Sequence, residues 1–526
     1  MKQPIVLIAA MALGFQASAQ SLEEGVKMYQ YERYQSAKKI LTPLAASSPA
    51  ANYYLGLSEL ALENTNEAKT IFSKYAEDAA NMAGLARVAF ETNNIAEGER
   101  LAKIVADKAK KKEWEPLKYA ADAITYSPGS NKQNAIDWLA KAYATKGLNK
   151  ADSIALLLSI GDANRTLQTG GGNAMSSYEK VTDKDPQNSL AYSKIGALWY
   201  AAKNYKLALE NYNKAKDADP NNPLPYRDLA NAYMWTGKYD LAKQNIQQYL
   251  NLSDKSTEDQ IKYGDILYLS KDYQGAIDKI NELIRSGISK PRFYGILAYS
   301  QMNLEDSSSH AQALENVRKY FSMQKQEKIF PSDYSNYGTI VLKNNLTDSA
   351  DYYFNKSVTA DTAKDKSETY RLAAEAFKNH KDYAKSAEWY NKLIVANPET
   401  EPIDYFWRGA MYYYSKNYTD GARAFEEMET KYPDQPSATY WRGRVAAATD
   451  EEAKTCVATP HYTKWLEKVG PEYDKKSDLM QAYQYLALCA YNKGDKVTMK
   501  TYMDKIEAID AGNAFLKQLK DLDKQG

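Results

Sequence analysis

Histidine and cysteine are scarce in this chain of 526 residues, which has three of the first and two of the second. His310, His380 and His461 have no second histidine or cysteine within a few residues, so zinc patterns such as H-E-x-x-H cannot be assembled. Neither Cys456 nor Cys489 has a ligand pair at helical or knuckle spacing, and no metal site or cofactor is expected. A basic excess is missing too, because 68 Lys and Arg face 67 Asp and Glu. Nucleic acids and anionic membranes select a positive surface, so neither is an expected partner. The local run Lys108, Lys110, Lys111 and Lys112 reads as a solvated helix end. No segment after the first twenty residues approaches the 18 or so consecutive apolar residues of a spanning helix. The mature chain is therefore expected not to insert into a membrane.

Catalytic signatures are absent as well. Gly170, Gly171, Gly172 and Asn173 resemble a phosphate loop, but the run lacks the Gly-Lys-Ser/Thr ending and follows a helix rather than a strand. It reads as a turn between two helices. No G-x-S-x-G elbow occurs. Asp361 and Asp365 are four apart, but no glycine-containing calcium loop surrounds them. Nothing here points to an enzyme.

The first 19 residues have the pattern of an export signal. Lys2 supplies the positive start, Ile5 to Phe15 the apolar core, and Ala17, Ser18 and Ala19 the small residues of a cleavage site before Gln20. No cysteine follows that site, so a lipid anchor is not expected. Export predicts the periplasm if the source is Gram-negative. In such an oxidising compartment Cys456 and Cys489 can pair as a disulfide. Alternatively, both can lie buried as small apolar thiols.

What the chain has in quantity is tyrosine, 44 residues against 11 phenylalanines, and a repeat that places them. Tyr192, Ile195, Gly196, Trp199, Ala208, Tyr212 and Pro220 form one unit. Thirty-four residues on stand Tyr226, Leu229, Ala230, Tyr233, Ala242 and Ile246, and after the same interval Tyr263, Gly264, Ala276 and Ile280. Looser units begin with Gly25, Ala37, Leu41 and Pro49, then Leu55, Gly56, Ala68 and Phe72. A degenerate one follows at Ala86, Gly98 and Ala102. The rhythm resumes at Tyr334, Gly338, Ala350 and Phe354, at Tyr370, Phe377, Tyr390 and Pro398, and at Tyr405, Gly409, Tyr412, Phe425 and Pro433. It ends at Tyr483, Leu486, Ala487 and Gly494. This resembles the tetratricopeptide repeat family, with its W-x2-L-G-x2-Y, A-x3-F and P pattern, over roughly a dozen units of about 34 residues. The small residues mark close helix crossings, the aromatics fill the space between helix pairs, and proline stops the second helix.

The resemblance implies an all-α solenoid, a right-handed superhelix of helix pairs. Its concave face would be lined by Tyr200, Trp235, Tyr268, Phe406, Tyr413, Tyr414 and Tyr440. These can anchor a partner or be shielded by the next unit. Arg227 and Asn231 resemble part of the carboxylate clamp found in some members of the family. Lys262 stands where that clamp has asparagine, and Ile296 replaces one of two later basic residues, of which Arg292 matches the other. The departure turns the expectation to a generic pairing of Arg227, Arg292 and Arg371 with acidic groups on a partner. Residues 449–477 break the rhythm around His461 and Trp465. The Lys- and Asp-rich tail from Phe515 suits a polar end cap.

The reading is a signal peptide (1–19), degenerate repeats (20–187), a central array (188–435) and terminal repeats with an irregular insertion (436–526). The function expected is that of a soluble, non-catalytic periplasmic scaffold or adaptor. It would bind envelope proteins in the concave groove, including those of an outer-membrane-associated complex. The alternative is an oligosaccharide- or peptide-binding module, favoured if exposed aromatics recur evenly along several units.

Overall fold

The computed structural model describes residues 21–525. The expected signal segment lies outside the described residues. About 75% of the chain is helical, without strands among the described residues, and the chain is an all-α solenoid. It divides into two compact units, one ending at Leu283 and one beginning at Ile284.

In the first unit a helix over residues 21–30 pairs with Tyr34–Leu41. Helix pairs of the same kind follow, among them Pro49–Ala61 with Thr65–Ser73, Ala79–Glu91 with Ile95–Asp107, and Lys150–Arg165 with Gly171–Lys184. The unit continues through Ser189–Ala201 with Tyr205–Ala218 and Leu224–Trp235 with Tyr239–Leu252. Local chemistry sets these boundaries. The side chains of Ser48, Asp78, Asn188 and Asn204 accept the backbone N–H three residues on, satisfying a donor that the first turn leaves orphaned. The turns inside the pairs need a left-handed residue, supplied by Lys203 (φ 59°), Gly237 (φ 71°) and Lys271 (φ 61°) at 34-residue intervals. Ala208, Ala242 and Ala276, at the same interval, are fully buried where the helices cross.

In the second unit the pairs include Pro331–Lys343 with Thr347–Ala360, Ser367–Asn379 with Tyr383–Ala396, and Pro402–Tyr414 with Tyr418–Lys431. Proline in the first turn starts several of these helices, where its missing N–H costs nothing. The irregular region is a helix pair, Pro436–Ala448 and Thr459–Val469, with a long connection in place of a tight turn. Buried Asp450 orders that connection, accepting from the backbone N–H groups of Thr455 (3.1 Å) and Cys456 (2.8 Å) and from the Tyr485 hydroxyl (2.8 Å). Burial pushes its carboxyl up, but these donors outweigh it and hold it down at about 2. Cys456 and Cys489 are joined as a disulfide, with Cα atoms 5.5 Å apart, tying the connection to helix Lys476–Asn492. The last helix, Ala514–Gln525, buries Leu516 and Leu519, packs Phe515 against the same cluster and leaves Leu522 exposed among polar residues.

Candidate functional site

The first unit uses its charged groups internally. Asp162, in helix Lys150–Arg165, is 5% exposed. It accepts hydrogen bonds from Lys194 (2.7 Å), from Tyr178 (2.6 Å) and from Tyr126. Burial alone would push this carboxyl up, but Lys194 and the two phenols keep it below its ordinary value. Arg227 gives its guanidinium to Glu32, in the turn of the first helix pair, and lies 3.4 Å from Asp228. Asp228 therefore receives only a long contact, and burial pushes its carboxyl up to about 6. Asn231, one turn on, has a buried side-chain oxygen without a hydrogen-bond partner among the described residues.

Of the other residues expected on the concave face, Trp235 is 68% exposed. Its indole interacts with the Tyr200 hydroxyl, and Tyr200 packs edge-on to Tyr205 at 5.5 Å. Tyr268 stands 6.2 Å from Tyr273, at the start of the second helix of its own pair. The first unit thus repeats an aromatic side chain at this place in three consecutive repeats, exposed at Trp235 and half-buried at Tyr200 and Tyr268.

Arg371 is spoken for: it donates to Asp404 at 2.9 and 2.8 Å and to Glu368 at 3.2 Å. Arg292 lies in the first helix of the second unit, Pro291–Gln301, with an interaction partner of its own. Tyr440 is buried, and its hydroxyl meets Gln481 (2.8 Å) and Asp478 (3.3 Å).

Phe406, Tyr413 and Tyr414 come together around a residue the sequence reading did not single out. The indole of Trp441 lies 5.5 Å from Phe406, 5.4 Å from Tyr413 and 6.1 Å from Tyr414. Arg444, one turn along the same helix, lays its guanidinium 4.1 Å from the Trp441 ring centre and 5.0 Å from that of Tyr413. Among the described residues it has no acidic partner, and its Nε is buried without a hydrogen bond. Its neighbour Arg442 is bound to Glu426 and Glu429 instead. Beside this cluster, Pro402, Ile403, Phe406, Met428 and Gln435 line a cavity of about 580 Å³. A guanidinium held by ring faces keeps its hydrogen-bond donors for an incoming group. Only its spacing from the groove positions of the preceding repeat could have marked Arg444 in the sequence.

Among the described residues, no group of three or more His, Cys, Asp and Glu side chains is placed to hold a metal, and no helix is long and apolar enough to cross a membrane.

No curated protein matches the chain. Among solved structures, the C-terminal part of a TPR repeat-containing protein from Cytophaga hutchinsonii is similar at 26% identity. That match covers 49% of this chain and 98% of the other, with a TM-score of 0.40. A tetratricopeptide repeat protein from Parabacteroides merdae matches at 19% identity over 51% of this chain and 98% of its own, with a TM-score of 0.32. The Cut9–Hcn1 hetero-tetramer of the APC/C matches at 14% identity over 78% and 86%, with a TM-score of 0.33. Tetratricopeptide repeat family models match residues 173–223, 200–258 and 411–454. With the helix pairs, turn residues and small crossing residues recurring at the same interval, the chain is a tetratricopeptide repeat protein.

Proposed function

We propose that the chain is a non-catalytic scaffold of the cell envelope and holds a protein partner on the second unit's face built by Phe406, Tyr413, Trp441 and Arg444. Repeats of this family are suited to protein–protein interaction. The observation that carries the reading is Arg444, a half-buried cation over two aromatic rings without an acid of its own among the described residues. Aromatic and arginine side chains are the residues that dominate binding at protein interfaces. The apolar cavity next to them would take an aliphatic or aromatic side chain, and Arg444 a carboxylate close to it in the partner. Export to the periplasm rests on the leader pattern of the first 19 residues, and the Cys456–Cys489 bond fits an oxidising compartment.

The test is a cross-linking pull-down of the tagged mature protein from envelope fractions, comparing wild type with Arg444→Glu and Phe406→Ala. A stoichiometric protein recovered with wild type and lost with both variants supports the reading. Equal recovery by folded variants overturns it. A second reading, binding of a linear oligosaccharide, is favoured by the aromatics at Tyr200, Trp235 and Tyr268, evenly spaced over three repeats. Trp235→Ala would then abolish glycan retention while leaving the pull-down intact.

A further inference from the structure

The first helix pair makes its distant contacts with repeats that lie about 190 to 220 residues further along the chain. Tyr31 donates its hydroxyl to Asp219, and Lys27 approaches the same carboxylate at 3.1 Å. Glu32 takes the guanidinium of Arg227. Asp254 accepts the backbone N–H of Gln35 (2.8 Å) and of Ser36 (3.2 Å), and also the Ser36 hydroxyl (2.6 Å). Arg33 adds an ion pair to Asp254 at 3.8 Å.

Two properties set this seam apart from the joints between successive repeats. Every contact just named is a hydrogen bond or an ion pair, whereas successive repeats are joined by apolar clusters. The cluster of Ala37, Leu41, Ala51 and Leu55 and that of Ala230, Ala242, Ile246 and Ile266 are examples. The seam is also gapped. Leu22, Val26, Lys27 and Tyr31 face Asn188, Leu190 and Asp219 across a cavity of about 1370 Å³. The two sides therefore meet through polar side chains and the first-turn amides of Gln35 and Ser36, and little apolar area holds them.

We propose that the helix pair over residues 21–41 is a releasable clasp, closing the first unit on itself through this polar seam. Release frees Arg227 from Glu32 and opens the face that carries Asp228 and Asn231. Screening weakens exposed ion pairs but leaves apolar burial intact or strengthened. The seam thus loosens at high salt while the apolar joints between successive repeats, that of the clasp to helix Pro49–Ala61 included, stay packed.

Amide hydrogen exchange on the full chain, read by mass spectrometry at low salt and at about 1 M NaCl, where the screening length falls to about 3 Å, tests this. Expected is about a tenfold or greater rise in exchange at high salt for the first-turn amides of Gln35 and Ser36, which Asp254 holds, with helices Pro49–Ala61 and Tyr239–Leu252 unchanged. Asp254→Asn should produce the same local rise at low salt, because an amide is a weaker cap and forms no ion pair. Glu32→Gln is a second variant that removes no cap. Unchanged protection of Gln35 and Ser36 in high salt and in both folded variants would overturn the proposal. So would a loss of protection shared by all three helices.

Discussion

Tyr212 lies with its ring against the backbone of Gly196, so that a methyl group on that glycine would stand 2.6 Å from the ring carbons. The pair is sixteen residues apart, and the arrangement recurs as Gly56 with Phe72, Gly338 with Phe354 and Gly409 with Phe425. The ring is nearly fully buried and has no free direction in which to move.

Gly196→Ala is therefore expected to lower stability by about 1–3 kcal/mol through overpacking. Gly171→Ala is the internal control, since nothing lies within 4 Å of its added methyl group and its φ is helical. That change is expected to be neutral, or stabilising by up to about 1 kcal/mol. Urea midpoints of the two variants decide the matter, and equal shifts would refute the packing argument.

The disulfide closes a loop with a sequence separation of 33. On the chain-entropy account, reducing it should cost about 3–4 kcal/mol. Cys456→Ser with Cys489→Ser should lower the urea midpoint of the second unit, and reductant should have no further effect on the variant. A wild-type midpoint indifferent to reductant would refute this.

Glu429 is 8% exposed and accepts from Thr439 (2.6 Å), Arg442 (2.9 Å), Lys464 (2.9 Å) and Lys468 (3.2 Å). Burial pushes its carboxyl up, but these donors outweigh burial and hold it well below the ordinary value. A depressed carboxyl stabilises fully above its unfolded pKa of about 4.3 and loses that contribution as pH falls through its folded value. Glu429→Gln is expected to cost about 2 kcal/mol or more at pH 7 by leaving buried donors unpaired. It should also remove part of the wild-type acid sensitivity below pH about 4. Parallel wild-type and variant curves from pH 7 to 3 would count against it.

Asp228 gives the opposite sign. Its carboxyl is pushed up to about 6 by burial, against an ordinary value near 3.9. Between those values the folded state binds more proton than the unfolded one, so this group's contribution falls as pH rises through the window. Asp228→Asn should flatten that part of the stability curve, with a difference of at most about 2–3 kcal/mol accumulated by pH 7. Carbonyl-region NMR or infrared titration of the carboxyl gives the direct reading, and a midpoint near 4 would refute it.

Much of the fold was legible because the repeat is written in residues that act locally. Gly196, Ala208 and Tyr212 are constrained by contacts inside one helix pair, and Pro402 and Pro436 by the first turn they begin. The candidate sites were less legible, because the fate of a charge depends on what reaches it. Arg227 and Arg371 look alike in the sequence, as free cations on a groove position. One is met by Glu32, 195 residues away, and the other by Asp404, 33 residues away. No periodicity announces either pairing. Arg444 is the converse case, an arginine that no acid among the described residues reaches and that the ring of Trp441 carries. Tyr440 and Tyr414 differ for a similar reason. The first is covered by helix Lys476–Asn492, to which its hydroxyl bonds, while the second stays 46% exposed.

The bond between Asp254 and the start of helix Tyr34–Leu41 also bears on how the first unit assembles. An array in which each repeat touches only its neighbours can fold from any point and fray from either end. Contacts spanning about 190 to 220 residues carry the largest loop-closure entropy in the unit and form only after the intervening repeats have stacked. The seam is then the last contact to form during folding and the first to open during unfolding. Between those events it links repeats that would otherwise open independently, making the loss of either one the concern of both.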